Sequence, residues 1–346
     1  MLPGGHIHDT YLATYAHAGR AARYIHQRLN QRVFADPPAL MDNIRRVTEH
    51  VRASLERECV SDIARRVLTV MLTRDGQPVY VDNAGAYWRT YPYIERTRTY
   101  TTVASAVLAE QAASAFGRFV QLLADLPSPR LHETIPAFHD TPGRLRRLRQ
   151  AAAADLCGRT AAVSADVEFA LARASTASLL ADLRSRGELT ERVVHNDTKI
   201  ANVLFDERTD EAICIVDLDT VMPGLVLHDF GDLVRSSVCA AHEDERNLAR
   251  VQVRLEVFEG LVRGYLRSAG ELLNERERAL LPFAGTLVAL EAGMRFLTDY
   301  LEGDVYFRIR RPQHNLQRAR CQFQLVRSLE QQQSAMAAAV ERAVRP

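Results

Sequence analysis

The sequence predicts an α+β fold with two lobes, a small antiparallel β lobe over residues 1–95 and a larger helical lobe over residues 96–346. Three observations carry that prediction. Short alternating runs bounded by Gly and Asp turns crowd the first hundred positions. From Thr101 onward apolar residues recur at spacings of three and four, the period of a helix face. One short β segment, at about 203–217, interrupts the helices. Strands first and helices afterwards, without regular alternation, fit an α+β arrangement better than a parallel sheet.

Residues 11–15 alternate after the Gly4-Gly5 turn and read as a strand, and residues 23–29 read as the next. Pro37-Pro38 then opens a helix over 38–55, because proline is tolerated in a first helical turn. Residues 67–73, the Asp75-Gly76 turn and residues 79–81 read as a hairpin. Asn83-Ala84-Gly85 turns the chain into an aromatic strand over 87–93, and the crossover between lobes falls near 91–96. Leu108, Ala112, Ala115, Phe119, Leu122 and Leu126 make one apolar stripe of a helix. Further helices are expected around 143–156, 163–186, 245–270, 275–302 and 315–343.

Composition narrows the function classes. The chain is 47% apolar and 25% charged, ordinary globular values that argue against a disordered chain. Basic and acidic residues number 44 and 43, so the electrostatic footprint of a nucleic-acid binder is missing. No apolar run approaches eighteen residues, so no membrane-spanning helix is expected, and the N-terminus lacks the pattern of a signal peptide. Five scattered cysteines without a CxxC fit neither a disulfide framework nor a zinc site. The expectation is a cytoplasmic protein, monomeric, without a nucleic-acid or membrane partner. One feature is sharper. Lys199 is the sole lysine, and the other 43 basic residues are arginine.

Lys199 sits in His195-Asn196-Asp197-Thr198-Lys199-Ile200-Ala201-Asn202, and an apolar strand ending on Asp217 follows. Phosphoryl transfer needs a carboxylate to orient and deprotonate a hydroxyl, a cation on the migrating phosphate, and oxygen ligands for magnesium. Asp197 is the candidate base, Lys199 the phosphate contact, and Asn202 and Asp217 the Mg²⁺ ligands. If the strand runs on past Asp217, Asp219 shares its face and becomes a further candidate ligand. His195 reads as structural, tying this loop to the segment near Asp217. Asp229-Phe230-Gly231 spells the metal triplet of protein kinases, but it follows a Pro223-Gly224 turn rather than a strand end. Asp229 therefore reads as a cap or a loop brace.

These motifs resemble the aminoglycoside phosphotransferase and choline kinase superfamily, whose fold is protein-kinase-like. The resemblance is carried by residues 5–11, 138–142, 195–199, 217–224 and 293–307. The last of these, which includes Arg295-Phe296-Leu297-Thr298-Asp299-Tyr300, is most similar to N-acetylhexosamine 1-kinases. The resemblance implies ATP as co-substrate, Mg²⁺ as cofactor, and a sugar lying among His6, Asp197, Arg295 and Tyr306. For Arg295 and Tyr306 the alternatives of an interhelical ion pair and a core aromatic stay open. The resemblance also implies adenine at the crossover, read by backbone groups around Tyr91 and Tyr93, with Gly4 and Gly5 close to the phosphates. Kinases of this fold carry a phosphate-binding lysine on their third strand. Here that place has no lysine, and Gln27 or Arg28 is the expected substitute. Phe138–Pro142 receives no chemistry beyond a helix cap at Asp140 or Thr141. Two other readings remain open: a kinase for aminoglycosides, choline or homoserine, and a catalytically dead nucleotide-binding protein.

Overall fold

The computed structural model describes residues 7–17 and 20–344. Gly4, Gly5 and His6 lie outside the described residues. The smaller lobe is a four-stranded antiparallel sheet with one long helix. β1 (Asp9–His17) and β2 (Arg20–Arg28) form a hairpin, β4 (Tyr87–Pro92) pairs with β2, and β3 (Tyr80–Val81) pairs with β4. This register sets Thr10 opposite Gln27 and Gln27 opposite Arg89. α1 (Pro37–Arg57) starts where Asp36 accepts the Ala39 N–H, and it buries Leu40, Met41, Ile44, Val47 and Val51 at helical spacing.

The expected hairpin over 67–81 is largely replaced by irregular chain. A single-turn helix, α2 (Ile63–Arg66), precedes it. Met71 N–H donates once to Thr90 O and Thr73 N–H donates to Gln77 O, without a ladder. Leu68 and Val70 pack on the core instead, so alternation here reflects burial and not strand pairing.

The second lobe begins at β5 (Thr97–Arg98) and α3 (Ala106–Leu122), and continues through α4 (Thr141–Ala154), α5 (Ser164–Leu171) and α6 (Ala174–Ser185). The single helix expected over 163–186 thus breaks at Ala172-Arg173. β6 (Glu191–Val194) pairs with β9 (Met222–Leu225), while β7 (Val203–Asp206) and β8 (Ala212–Ile215) form a sheet with β5. β6 and β9 were not foreseen, because Pro223-Gly224 reads as a turn. A two-stranded ribbon has only edges, where proline is tolerated, and a Cβ on Gly224 would lie 2.6 Å from Val194 Cγ2. α7 (Val226–Ser237), α8 (Leu255–Ala269), α9 (Glu275–Leu301) and α10 (His314–Val344) complete the lobe. α8 begins ten residues later than expected.

Gly260 and Gly264 let α8 press onto α3. A Cβ at Gly264 would meet Glu110 O at 2.1 Å, and one at Gly260 would meet Ala106 O at 2.4 Å. The expectation about apolar runs needs one correction. α9 contains an 18-residue window long and apolar enough to cross a bilayer, with 78% of it buried inside the lobe. Its apolarity is that of a core helix, packed between α7 and α10.

Candidate active site

The chain from His195 to Asn202 is a loop between β6 and β7, fixed from beneath. His195 is fully buried between the rings of Phe116 and Phe119 on α3. Its Nδ1 accepts the Asp197 N–H, so Nε2–H donates to Val216 O at 3.0 Å. Burial keeps the imidazole pKa below its ordinary value, which suits this neutral tautomer. Asp229, buried in the first turn of α7, accepts the His195 N–H at 2.9 Å and the Asn196 N–H at 2.6 Å. Thr198 Oγ1–H donates to Asp229 O. Burial pushes the Asp229 carboxyl up to about 7 against those two N–H groups. Its neighbours in the decoy triplet are also structural. Phe230 is core, and a Cβ at Gly231 would sit 2.5 Å from Ala284 O on α9.

The reactive groups converge above this base. Asp197 Oδ2 accepts from Lys199 Nζ at 2.7 Å and from Asn202 Nδ2 at 3.0 Å, while Oδ1 has no partner among the described residues. Asn202 Nδ2 also donates to Asp197 O, which leaves the amide oxygen as its free ligand atom. Burial opposes ionisation of Asp197, but the Lys199 ammonium outweighs it and holds the carboxyl below the ordinary range. Burial likewise opposes the charge of Lys199, and Asp197 and Asp217 outweigh it. Lys199 Nζ lies 3.9 Å from Asp217 Oδ2. Asp217 is in the left-handed region, φ 61° and ψ 54°, and its side chain is 40% exposed in the cleft. Although the side chain opens to the cleft, desolvation by the surrounding protein, with the Asp219 and Asp197 charges nearby, pushes its carboxyl up to about 7. A carboxylate so placed favours a cation partner. Asp217 and Asn202 together fit Mg²⁺, which takes few protein ligands and completes its shell from phosphate and water.

Asp219 is not a third ligand. β8 ends at Ile215, and a 3₁₀ turn over Leu218–Thr220 follows the left-handed Asp217, so the two carboxylates do not share a strand face. Both Asp219 oxygens are taken. Arg89 Nη1 donates to Oδ1, Arg89 Nη2 donates to Oδ2 at 2.8 Å, and His8 Nε2 donates to Oδ2 at 3.0 Å. Burial disfavours the Asp219 charge, yet Arg89 and His8 hold the carboxyl far below the ordinary range.

The two candidates for the absent lysine separate by face. Gln27 Oε1 accepts from Arg89 Nε at 2.8 Å, on the cleft side. Arg28 points the other way, half-exposed and paired with Asp9. A further cation beside the site, missed by the sequence reading, is Arg89, buried and paired with Asp219. At the crossover the Tyr93 N–H is taken by Arg23 O, and Tyr91 is buried in β4 opposite Ile25. Arg65 donates to Glu95 O and Arg96 O. The Tyr93 N–H is thus engaged within the sheet, and the Glu95 and Arg96 carbonyls are taken by Arg65.

Arg295, on α9, lies over the rings of Phe138 and Phe307 at 5.7 Å and 5.5 Å, and makes no ion pair among the described residues. Tyr306 is 65% exposed, and Asp299 accepts the backbone N–H groups of Val305, Tyr306 and Phe307. Neither the ion pair nor the core aromatic considered for these two residues is present. Phe138–Pro142 gains a role. Asp140 caps α4 through the Gly143 N–H, and Glu291 accepts from His139 Nδ1 and Thr141 Oγ1. This strip, with Asn196, Gly224 and His228, lines a cavity of about 520 Å³ beside the catalytic loop.

A bilobal fold with base, lysine, amide and carboxylate gathered at the cleft defines a kinase-like phosphotransferase. Residues 2–270 match the family model for the phosphotransferase enzyme family, APH, and the chain belongs to that family. Its fold is shared by solved structures at low identity. An aminoglycoside phosphotransferase from Alicyclobacillus acidocaldarius aligns with a TM-score of 0.57 at 12% identity, covering 95% of this chain and 91% of that one. An amicoumacin kinase in complex with AMP-PNP, Ca²⁺ and its substrate gives 0.55 at 15%, covering 94% and 86%. A spectinomycin phosphotransferase in complex with ADP and spectinomycin gives 0.54 at 13%, covering 98% and 92%.

Proposed function

We propose that the protein transfers the γ-phosphoryl group of ATP to the anomeric hydroxyl of a free N-acetylhexosamine, giving the sugar 1-phosphate. Asp197 offers Oδ1 to the acceptor hydroxyl and takes its proton, while Oδ2 stays bound to Lys199 and Asn202. Lys199 places a compact positive charge where the migrating phosphoryl gathers negative charge. Asp217 and the Asn202 amide oxygen would hold Mg²⁺, which neutralises phosphate charge when bound. No covalent intermediate on the protein is needed; catalysis is positioning and charge stabilisation.

The observation that supports the acceptor class is Arg295, whose guanidinium lies 5.7 Å and 5.5 Å from the ring centroids of Phe138 and Phe307, with no carboxylate partner among the described residues. A neutral, oxygen-rich acceptor suits that guanidinium, whereas a cationic amino alcohol would meet repulsion. His6 and Tyr306 would complete the sugar site. The reading includes a reducing cytoplasm, in keeping with five cysteines that are all free thiols. The test is ATP consumption over a panel of free sugars and amino alcohols, with the product's phosphate position read by ³¹P NMR. A C1 phosphate on an N-acetylhexosamine is expected. A 6-phosphate, or turnover only with choline or an aminoglycoside, overturns the acceptor assignment.

A further inference from the structure

We infer that Arg89, Asp219 and His8 form a positioning device through which the smaller lobe sets the metal-binding Asp217. The inference rests on the reading of Asp217 as a metal ligand and is independent of the acceptor's identity.

The device is built from both lobes. Asp219 belongs to the turn that follows Asp217, in the helical lobe. Its side-chain partners both come from the smaller lobe, Arg89 from β4 and His8 from the chain entering β1. Their side chains are nearly closed to solvent, at 2% for Arg89 and 4% for each of the other two. His8 is oriented in turn, since its Nδ1 accepts the Asn30 N–H at 3.0 Å. Gln27 orients Arg89 through Nε.

Arg89 is not placed to touch a nucleotide itself. All three of its nitrogens are engaged, and the guanidinium lies 5.5 Å from the Tyr91 ring centroid. Stability alone is a weak reason for the arrangement, because apolar residues of similar volume often replace a buried ion pair without loss. What the pair does supply is register. Asp217 accepts no side-chain hydrogen bond among the described residues, its nearest cation being Lys199 Nζ at 3.9 Å, and it sits in a left-handed conformation. Its position is set by what anchors the following turn. On the helical-lobe side Thr134 Oγ1 donates to Asp219 O, and Thr220 Oγ1 donates to His195 O. On the other side stands the Arg89–Asp219–His8 grip. Asn43 of α1 also reaches this segment, donating Nδ2 to Val221 O just past the turn, so loss of the grip should remove the smaller lobe's side-chain hold on Asp219 itself and let the Asp217 carboxylate rotate out of the metal position.

The experiment is calorimetric binding of ADP, with Mg²⁺ and with EDTA, to the full chain and to three variants. In the R89M/D219N double variant both charges are gone, while the amide oxygen that replaces the Asp219 carboxylate can still accept from His8. Mg²⁺ should tighten ADP binding in the parent, and D217N should abolish that tightening. R89M/D219N should reduce the tightening by about 10–100-fold, the usual cost of removing a group that orients a metal ligand, and should leave metal-free ADP binding unchanged. R89K, which keeps the charge without the two-pronged geometry, should lose part of the tightening and covers the case in which the double variant fails to fold. A parallel fall in metal-free binding would make Arg89 a direct nucleotide contact and overturn the inference. Full Mg²⁺-linked tightening in folded R89M/D219N or R89K overturns it as well, with Asp217 still a metal ligand. If the parent itself shows no tightening, the metal reading of Asp217 fails together with the inference.

Discussion

The catalytic loop and the metal turn lie side by side but are held in different ways. The His195–Asn202 loop is anchored entirely within the helical lobe, by Asp229, by the aromatic slot of Phe116 and Phe119, and by Val216. The Asp217–Thr220 turn is gripped from both lobes. The Asp197 loop is therefore held independently of the smaller lobe, whereas the Asp217 turn takes its side-chain contacts from both.

Breaking each site directly gives the largest effects. Asp217→Ala should remove nearly all Mg²⁺-dependent turnover, because Asn202 supplies no anionic ligand. Asp197→Asn should lower kcat by about 10²–10⁴, the usual contribution of a general base, with the melting curve little changed. Steady-state kinetics at saturating Mg²⁺ check both, and a folded, active Asp217→Ala would overturn the role given to Asp217.

Lys199→Arg tests whether the base's neighbour must be compact. Loss of one preorganised donor costs about 10²–10³ in kcat, and arginine should recover part of it. The fall should appear in kcat more than in KM for the acceptor. Near-parental kcat would show that any cation serves there.

Asp229→Ala attacks the catalytic loop from its own side. From sequence alone a cap-sized loss of about 1 kcal/mol was expected. The structure raises it, since two buried N–H groups would lose their acceptor at about 1–3 kcal/mol each. Urea denaturation should show that loss, and surviving protein should have a lowered kcat with nucleotide affinity retained.

The smallest effect concerns the strip beside the loop. Burial opposes the charge of Glu291, but His139 and Thr141 bring its carboxyl down from 4.5 to about 2. A lowered folded pKa gives stability that is present above the unfolded value and lost as pH falls through the folded one. The melting-temperature gap between parent and Glu291→Gln should be widest near neutrality and should close as pH drops from about 4.5 toward about 2. A gap that does not vary with acidity would mean that Glu291 acts only through packing.

The sequence made the catalytic loop readable because its chemistry is local: Asp197, Lys199 and Asn202 lie within six positions. The long helices were readable for a similar reason, since an apolar stripe such as that of α3 records burial at a fixed period. Asp219 was misread because strand alternation was carried past Ile215, where a left-handed residue ends it. Arg89 was hidden by its own abundance, one arginine among 43. Its partner lies 130 positions away, and His139 finds Glu291 across 152. Pairings of that reach are set by tertiary packing, which no local pattern encodes.

The lone lysine has a practical consequence for labelling. With no other lysine in the chain, an amine-directed reagent can meet only one side-chain amine, and that amine stands at the reaction centre. It is held as an ammonium between Asp197 and Asp217, so it is a slow nucleophile at neutral pH. Acylation should proceed sluggishly, stop at one side-chain adduct, and slow further when a nucleotide fills the cleft. The rate of that one side-chain modification, read by mass spectrometry of the peptide that carries Lys199 so that reaction at the α-amino group is counted apart, thus becomes a measure of cleft occupancy without any engineered probe.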